Sequence, residues 1–296
     1  MSHNDIYLIL ITLFAAIVNG GLGYGFSSIT VPLALLFLSN RVLNPALVPV
    51  EVILNAYVLF VNRGAVPSIW KRVWLIVVGL IPGVIVGTYI VTRISQPWLK
   101  LWTYFALLPL ILFQAAGFRR PLRSERSIGL PFGSSLGVLY SVTTISGPPL
   151  ALLLNNQGLA KREFRAALGV IRLAESTFTA IAYFHAGLFT ATSVHLIPRI
   201  LPSVLIGVPI GALVIRRVPA ETFRRLCMSF DAWVVAFGIS TVFRDLKIVG
   251  GPKAFLFLAA VVLIDAWLLY RFFSKPGAHA ESSAPPGAVA GSAGHG

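Results

Sequence analysis

The sequence predicts an all-α integral membrane protein. It is read as two inverted repeats, each with a broken helical hairpin and a bundle of transmembrane helices, plus one extra C-terminal helix. Three observations carry that prediction. The 296 residues are 56% hydrophobic and only 11% charged, with a mean hydropathy of +0.83, whereas a soluble domain carries about 25% charged residues. So much apolar surface cannot be hidden in a water-soluble core, so the bilayer has to be the solvent. Two long apolar segments are interrupted by polar, helix-breaking stretches that resemble each other. The basic residues divide unevenly between the two membrane sides only if each broken segment turns back on itself.

Apolar segments fall at about 6–38, 45–62, 73–92, 98–118, 128–154, 166–188, 196–215, 222–243 and 253–273. The N-terminus has no basic region and no small-residue cleavage site, so 6–18 reads as a retained span and not as a secretion signal. Segments 6–38 and 128–154 are the odd ones. A straight helix of 33 residues would be about 50 Å long, against about 30 Å of hydrocarbon. The first contains NGGLGYGFSSITVP and the second SVTTISGPP, and glycine clusters and proline oppose a continuous helix there. Residues 275–296 are rich in Ala, Gly, Ser and Pro and read as a disordered tail. The single cysteine, Cys227, excludes an intramolecular disulfide.

The two broken segments belong to an internal duplication. PLALLFLSN (32–40) aligns with PLALLLNNQ (149–157) at an offset of 117, and GVIVGTYIVTR (83–93) with GVPIGALVIRR (207–217) at an offset of 124. The expected organisation is a first transmembrane repeat at 1–118, a second, inverted one at 119–243, an extra transmembrane helix at 244–274 and a cytoplasmic tail at 275–296. If each broken segment crossed once, the loop Lys and Arg would divide 12 against 10; as hairpins they divide 16 against 6, with Arg172 and Arg199 inside spans. Cytoplasmic loops carry the basic excess, so the hairpin reading is preferred. It places the N-terminus outside and the C-terminus in the cytoplasm. Each half then has an odd number of legs, which inverts the second. The pairs Gly83/Gly87 and Gly207/Gly211 read as helix-packing faces, and such faces would permit a homodimer.

The net charge of +14 would point to nucleic acid in a soluble protein. Here the basic residues sit in short loops between apolar spans, the pattern that orients membrane proteins, and no nucleic-acid partner is expected. An enzyme would need a nucleophile–base set, a metal cluster or a cofactor motif. The sequence has no CxxC, HExxH or Walker A pattern, and GLGYGF has no βαβ context that would make it a dinucleotide site. No enzyme, metal or cofactor is expected.

In transporters built from inverted repeats, the substrate site lies near the midplane, where broken helices occupy corresponding positions of the two halves. A half-helix starting near Pro32 or near Pro148 and Pro149 would present unpaired N–H groups and a positive dipole end. Ser27, Ser28 and Thr30 in one half, and Thr143, Thr144 and Ser146 in the other, add hydroxyl donors. Gly23, Gly25 and Gly147, with Gly21, would let backbone approach closely. Facing helix N-termini with hydroxyls and no carboxylate describe an anion site. The bland alternative is that small residues only pack helices. Glu51, Arg172, Glu175, Arg199, Asp231 and Asp265 lie inside spans, where ionisable residues are costly and usually functional. Arg172 is the candidate counter-charge for substrate. Glu51 and Glu175, 124 apart, are candidates for coupling anion movement to protons; the alternative is a local Arg172–Glu175 pair on one helix face.

At these residues the chain resembles the TauE/SafE-type sulfite and organosulfonate exporter family. The likeness is carried by GGLGYGFSSITVPLALL near the start, SGPPLALLLNNQGLAKREFRAALG opening the second half, and the later AYFHAGLF, and it covers about 6–243. Tyr24 and Phe26 stand where the family usually has a denser glycine run. The resemblance implies export of small sulfur-containing anions, such as sulfite, sulfoacetate or taurine-like sulfonates, across the bacterial inner membrane. Composition and spacing alone reach only a multi-pass transporter with an anion-friendly midplane. The alternatives are an anion channel, a transporter of small carboxylates, and a membrane enzyme or scaffold subunit.

Overall fold

The computed structural model describes residues 3–115, 125–155, 159–214, 220–249 and 251–274. The tail expected to be disordered lies outside the described residues, which form helices and short connections with no strand among them. Among the described residues, five helical stretches are long and apolar enough to cross a membrane: Asn4–Gly21, Asn40–Arg93, Arg162–His185, Ala191–Leu213 and Gly251–Arg271. Large apolar side chains face outward along them, including Trp70, Trp74, Ile85, Tyr89, Leu205 and Trp267, as lipid-facing surfaces require.

The first half contains α1 (His3–Leu22), α2 (Phe26–Ala34), α3 (Asn40–Asn62), α4 (Val66–Arg93) and α5 (Gln96–Ala115). The second contains α6 (Glu125–Thr143), α7 (Gly147–Asn155), α8 (Lys161–His185), α9 (Ala191–Val214) and α10 (Ala220–Asp245), and α11 (Leu256–Phe273) follows. Both halves run long, short, long, long, long. The short helices α2 and α7 have nine residues each, about 13 Å at 1.5 Å per residue, and so cannot span about 30 Å of hydrocarbon.

The break before α2 is made by glycine. Gly23 and Gly25 have φ of +83° and +108°, a left-handed conformation that only glycine adopts without strain. Neither glycine lies in a tight backbone contact, so their role is the turn itself and not close approach. Because they end α1 early, α2 starts at Phe26, and Pro32 lies inside the helix rather than in its first turn. The expectation of a half-helix starting at Pro32 is therefore corrected. The offset of 117 puts Pro32 at the seventh position of α2 and Pro149 at the third of α7, so that alignment does not put the two short helices in register. The second break is made by Thr144, with φ of 56°, and there Pro148 and Pro149 do occupy the first turn.

The halves interlock reciprocally. α1 packs on α9 and α6 on α4, so the first helix of each half lies on the fourth of the other, while α3 and α8 pack together. Glycines make the outer contacts possible, as expected of them. A Cβ on Gly83 would meet the Ser134 carbonyl, and one on Gly211 the Ile17 carbonyl. Among the described residues the core divides into a cluster built mainly on α1, α2, α3, α5, α9 and α10, a second built on α4, α6, α7 and α8, and a smaller third that gathers Val48, Val91, Leu99, Tyr140, Val142, Tyr183 and Leu188. The breaks reach across: Ile145 joins the first cluster and Tyr24 the second.

Gly83→Ala and Gly211→Ala should each lower the melting temperature of the detergent-purified protein by about 3–10 °C, since overpacking costs about 1–3 kcal/mol. Gly64→Ala, with nothing near the added methyl, should leave it unchanged. Equal effects at all three positions would contradict this packing.

Candidate functional site

Both breaks lie against buried carboxyl groups. α3 carries Glu51 beside the start of α2, and the Ser27 hydroxyl donates to Glu51 Oε1 at 2.5 Å. α8 carries Glu175 beside the start of α7, and the Ser146 hydroxyl donates to Glu175 Oε2 at 2.5 Å. The expectation of an anion site free of carboxylate is thus corrected. Ser27 and Ser146, both predicted to bind substrate, are bonded to glutamates in this conformation, because α3 and α8 bring a carboxyl group to each break.

Arg172 on α8 joins the two halves. Its Nη2 donates to Glu51 Oε1 at 3.1 Å, and the Tyr140 hydroxyl on α6 donates to Glu51 Oε2 at 2.6 Å. The local Arg172–Glu175 pair is overturned, since the partner of Arg172 is on α3. Asn55 on α3 donates to the Arg172 carbonyl at 3.3 Å, adding a second bond across the same interface. Ser27, Glu51, Tyr140, Ser146, Arg172 and Glu175 are all buried. Burying such charges is tolerable only when they are paired and hydrogen-bonded. Glu51 meets that condition with three donors. Glu175 has one, and its Oε1 lacks a hydrogen-bond partner, as does Arg172 Nε.

The backbone exposed by the second break is satisfied by side chains. Thr143 accepts from the Ile145 amide at 3.0 Å and donates to the Leu139 carbonyl at 2.7 Å, and Thr144 donates to the Thr143 carbonyl at 2.7 Å. Asn44 donates to the Val142 carbonyl at 2.7 Å, and Tyr183 to the Ser141 carbonyl. These two threonines therefore shape the break. Gly147 lies against Tyr24, whose ring a Cβ there would approach to 3.3 Å, so the two breaks touch. Ser28 and Thr30 are buried within α2, and the Thr30 hydroxyl has no hydrogen-bond partner.

Two other ionisable residues inside the spans have partners of their own. Arg199 pairs with Asp5 at 2.8 Å, and Asp265 accepts from Ser229 at 3.1 Å at the α10–α11 contact. Tyr140 was not singled out as a site residue from the sequence. Its signal was the helical spacing of Tyr140 and Thr143, three apart, which places them on one face of α6. Residues 133–137, GSSLG, have the spacing of a nucleophile elbow. They lie inside α6, and Ser135 donates to the Pro131 carbonyl at 2.9 Å, so the strand-to-helix turn that chemistry needs is not there.

Among protein families, the one described as sulfite exporter TauE/SafE matches residues 8–238. No curated protein and no solved structure matches the chain.

The Arg172–Glu51 pair makes a specific stability prediction. Arg172→Gln strands a buried carboxylate and should destabilise the protein by about 3–5 kcal/mol. Adding Glu51→Gln should recover most of that loss, because the uncompensated charge is gone. Thermal unfolding of the single and double variants checks this; a double variant as unstable as the two losses combined would contradict the pair.

Proposed function

The chain belongs to the TauE/SafE sulfite exporter family, and we propose that it is a secondary transporter that exports small sulfur-containing anions. Sulfite and sulfonates such as sulfoacetate or taurine-like compounds are the substrate class. The proposed setting is the bacterial inner membrane, with the N-terminus periplasmic and the C-terminus cytoplasmic. Residues 1–118 and 119–243 are the two inverted repeats, 244–274 the extra helix and 275–296 a cytoplasmic tail. The chain acts as a transporter and not as an enzyme.

The observation that carries this reading is the position of Arg172. It is a buried guanidinium held where two chain breaks, one from each half, come into contact. Broken helices at corresponding positions are where carriers bind substrate. Non-helical backbone at membrane depth is tolerated where protein or a cavity surrounds it. The amides of Phe26, Ser27 and Ser28 in α2 and of Gly147 in α7 have no partner within their helices, so they add donors at a positive dipole end, while Pro148 and Pro149 carry no N–H. In this reading Gly23 and Gly25 shape one side of the site. Ser27, Ser28 and Thr30 line it, with Thr143, Thr144, Ser146 and Gly147 opposite and Arg172 as the counter-charge. Glu51 and Glu175 carry the coupling proton. Reciprocal packing of α1 on α9 and α6 on α4 provides two similar units that can rock about the site.

A ligand that binds only the folded protein raises its melting temperature with concentration. Sulfite, sulfoacetate and taurine should do so for the detergent-purified protein, with sulfate, chloride and acetate as comparators. Ser146→Ala and Arg172→Lys should abolish or sharply reduce the shift; lysine keeps the charge but loses the planar donor fork. Equal shifts in wild type and both variants would remove the substrate from the knot.

A further inference from the structure

We infer that Glu51 is an internal occupant of the substrate site, and that Ser27, Tyr140 and Arg172 hold the transported oxyanion once Glu51 is protonated and withdraws. This rests on the transport reading above and adds Tyr140 to the site. Both oxygens of one carboxylate are held by donors from three elements: Ser27 of α2 and Arg172 of α8 on Oε1, and Tyr140 of α6 on Oε2. These are the donors that a sulfite or sulfonate needs, already set around a group with two oxygens on one centre. Arginine commonly grips a carboxylate with two parallel bonds. Here only Nη2 reaches Glu51, and the buried Nε–H has no hydrogen-bond partner. The guanidinium thus retains donor capacity that Glu51 leaves unused.

Charge explains why the two anions exclude one another. The knot holds one guanidinium and two carboxyl groups. With both carboxyl groups ionised its formal charge is already −1, and an entering monoanion would raise that to about −2 in a low-dielectric bundle, where like charges repel strongly. Protonating Glu51 breaks its hold on Arg172 and removes the repulsion in one step. The groups that face Glu51 are Tyr140 from α6 and Arg172 and Glu175 from α8, with the Ser27 hydroxyl from α2. Arg41, on α3 itself, is engaged with the Val91, Thr92 and Ile94 carbonyls, and Arg199 of α9 with Asp5. Anion binding is therefore linked to proton uptake, and affinity rises as pH falls. The site selects oxyanions with two acceptor oxygens on one atom and discriminates against halide, which offers a single point to donors on both sides.

The test measures binding of methanesulfonate, sulfite, acetate and chloride to the full chain in detergent over a range of pH. Methanesulfonate stays ionised throughout, so any pH dependence belongs to the protein. Wild-type affinity for methanesulfonate should rise as pH falls. Glu51→Gln should bind about tenfold tighter at neutral pH and lose most of the pH dependence. Tyr140→Phe should weaken sulfonate binding several-fold while leaving chloride unaffected. Weaker or unchanged binding in Glu51→Gln overturns the inference but leaves the transport reading intact. If Glu51→Gln does not fold, pH-independent wild-type binding, or an unweakened Tyr140→Phe, overturns it instead. No binding of either sulfur anion to any of these proteins would sink both.

Discussion

A charge buried among these helices has to be answered by the protein itself, and the Arg172–Glu51 pair is where that requirement is most demanding. The two groups come from different halves of the chain. Their meeting needs α3 and α8 face to face at the centre. That in turn needs α1 on α9 and α4 on α6 closing around them, with glycines letting the outer helices approach to backbone contact. Ser27 and Tyr140 complete the hydrogen bonding of Glu51, which fixes the start of α2 and the rotation of α6. Local structure, packing and site chemistry therefore depend on one buried pair.

The breaks carry the second constraint. A helix that stops at membrane depth leaves carbonyl and amide groups that neither lipid nor water can satisfy. Asn44, Tyr183 and Thr143 answer those at the end of α6, and Tyr104 donates to the Pro32 carbonyl at 3.0 Å near the end of α2. Donors drawn from distant elements tie the broken segments to both halves. Tyr24, packed in the cluster that contains α7, and Ile145, packed in the cluster that contains α2, do the same with apolar contact. A relative movement of the halves must therefore disturb the knot.

The membrane-spanning, all-helical class was legible because apolar length and the rarity of charge are properties of composition. The two breaks were legible because glycine, proline and hydroxyl residues inside apolar segments contradict a straight helix. Glu51, Arg172 and Glu175 stood out for the same reason, as charges in places that tolerate few. Their partners were not legible. Arg172 lies 3 residues from Glu175 but bonds to Glu51, 121 residues away, and no local periodicity encodes that choice. Pro32 looked like a helix start because proline favours a first turn, yet the left-handed glycines upstream had already set the boundary. Tyr140 was one hydroxyl in a polar stretch, and its role emerged only from the face of α6 turned toward α3.

The most direct test of the central claim, that anion and proton move together through the knot, is flux in proteoliposomes with sulfite or sulfoacetate inside and a pH indicator outside. Wild type should release the anion with a stoichiometric movement of protons. Glu175→Gln should slow or uncouple that movement, and Arg172→Lys should stop anion release. Anion release with no proton movement, or release untouched by either change, would contradict the account and place the transport path elsewhere in the bundle.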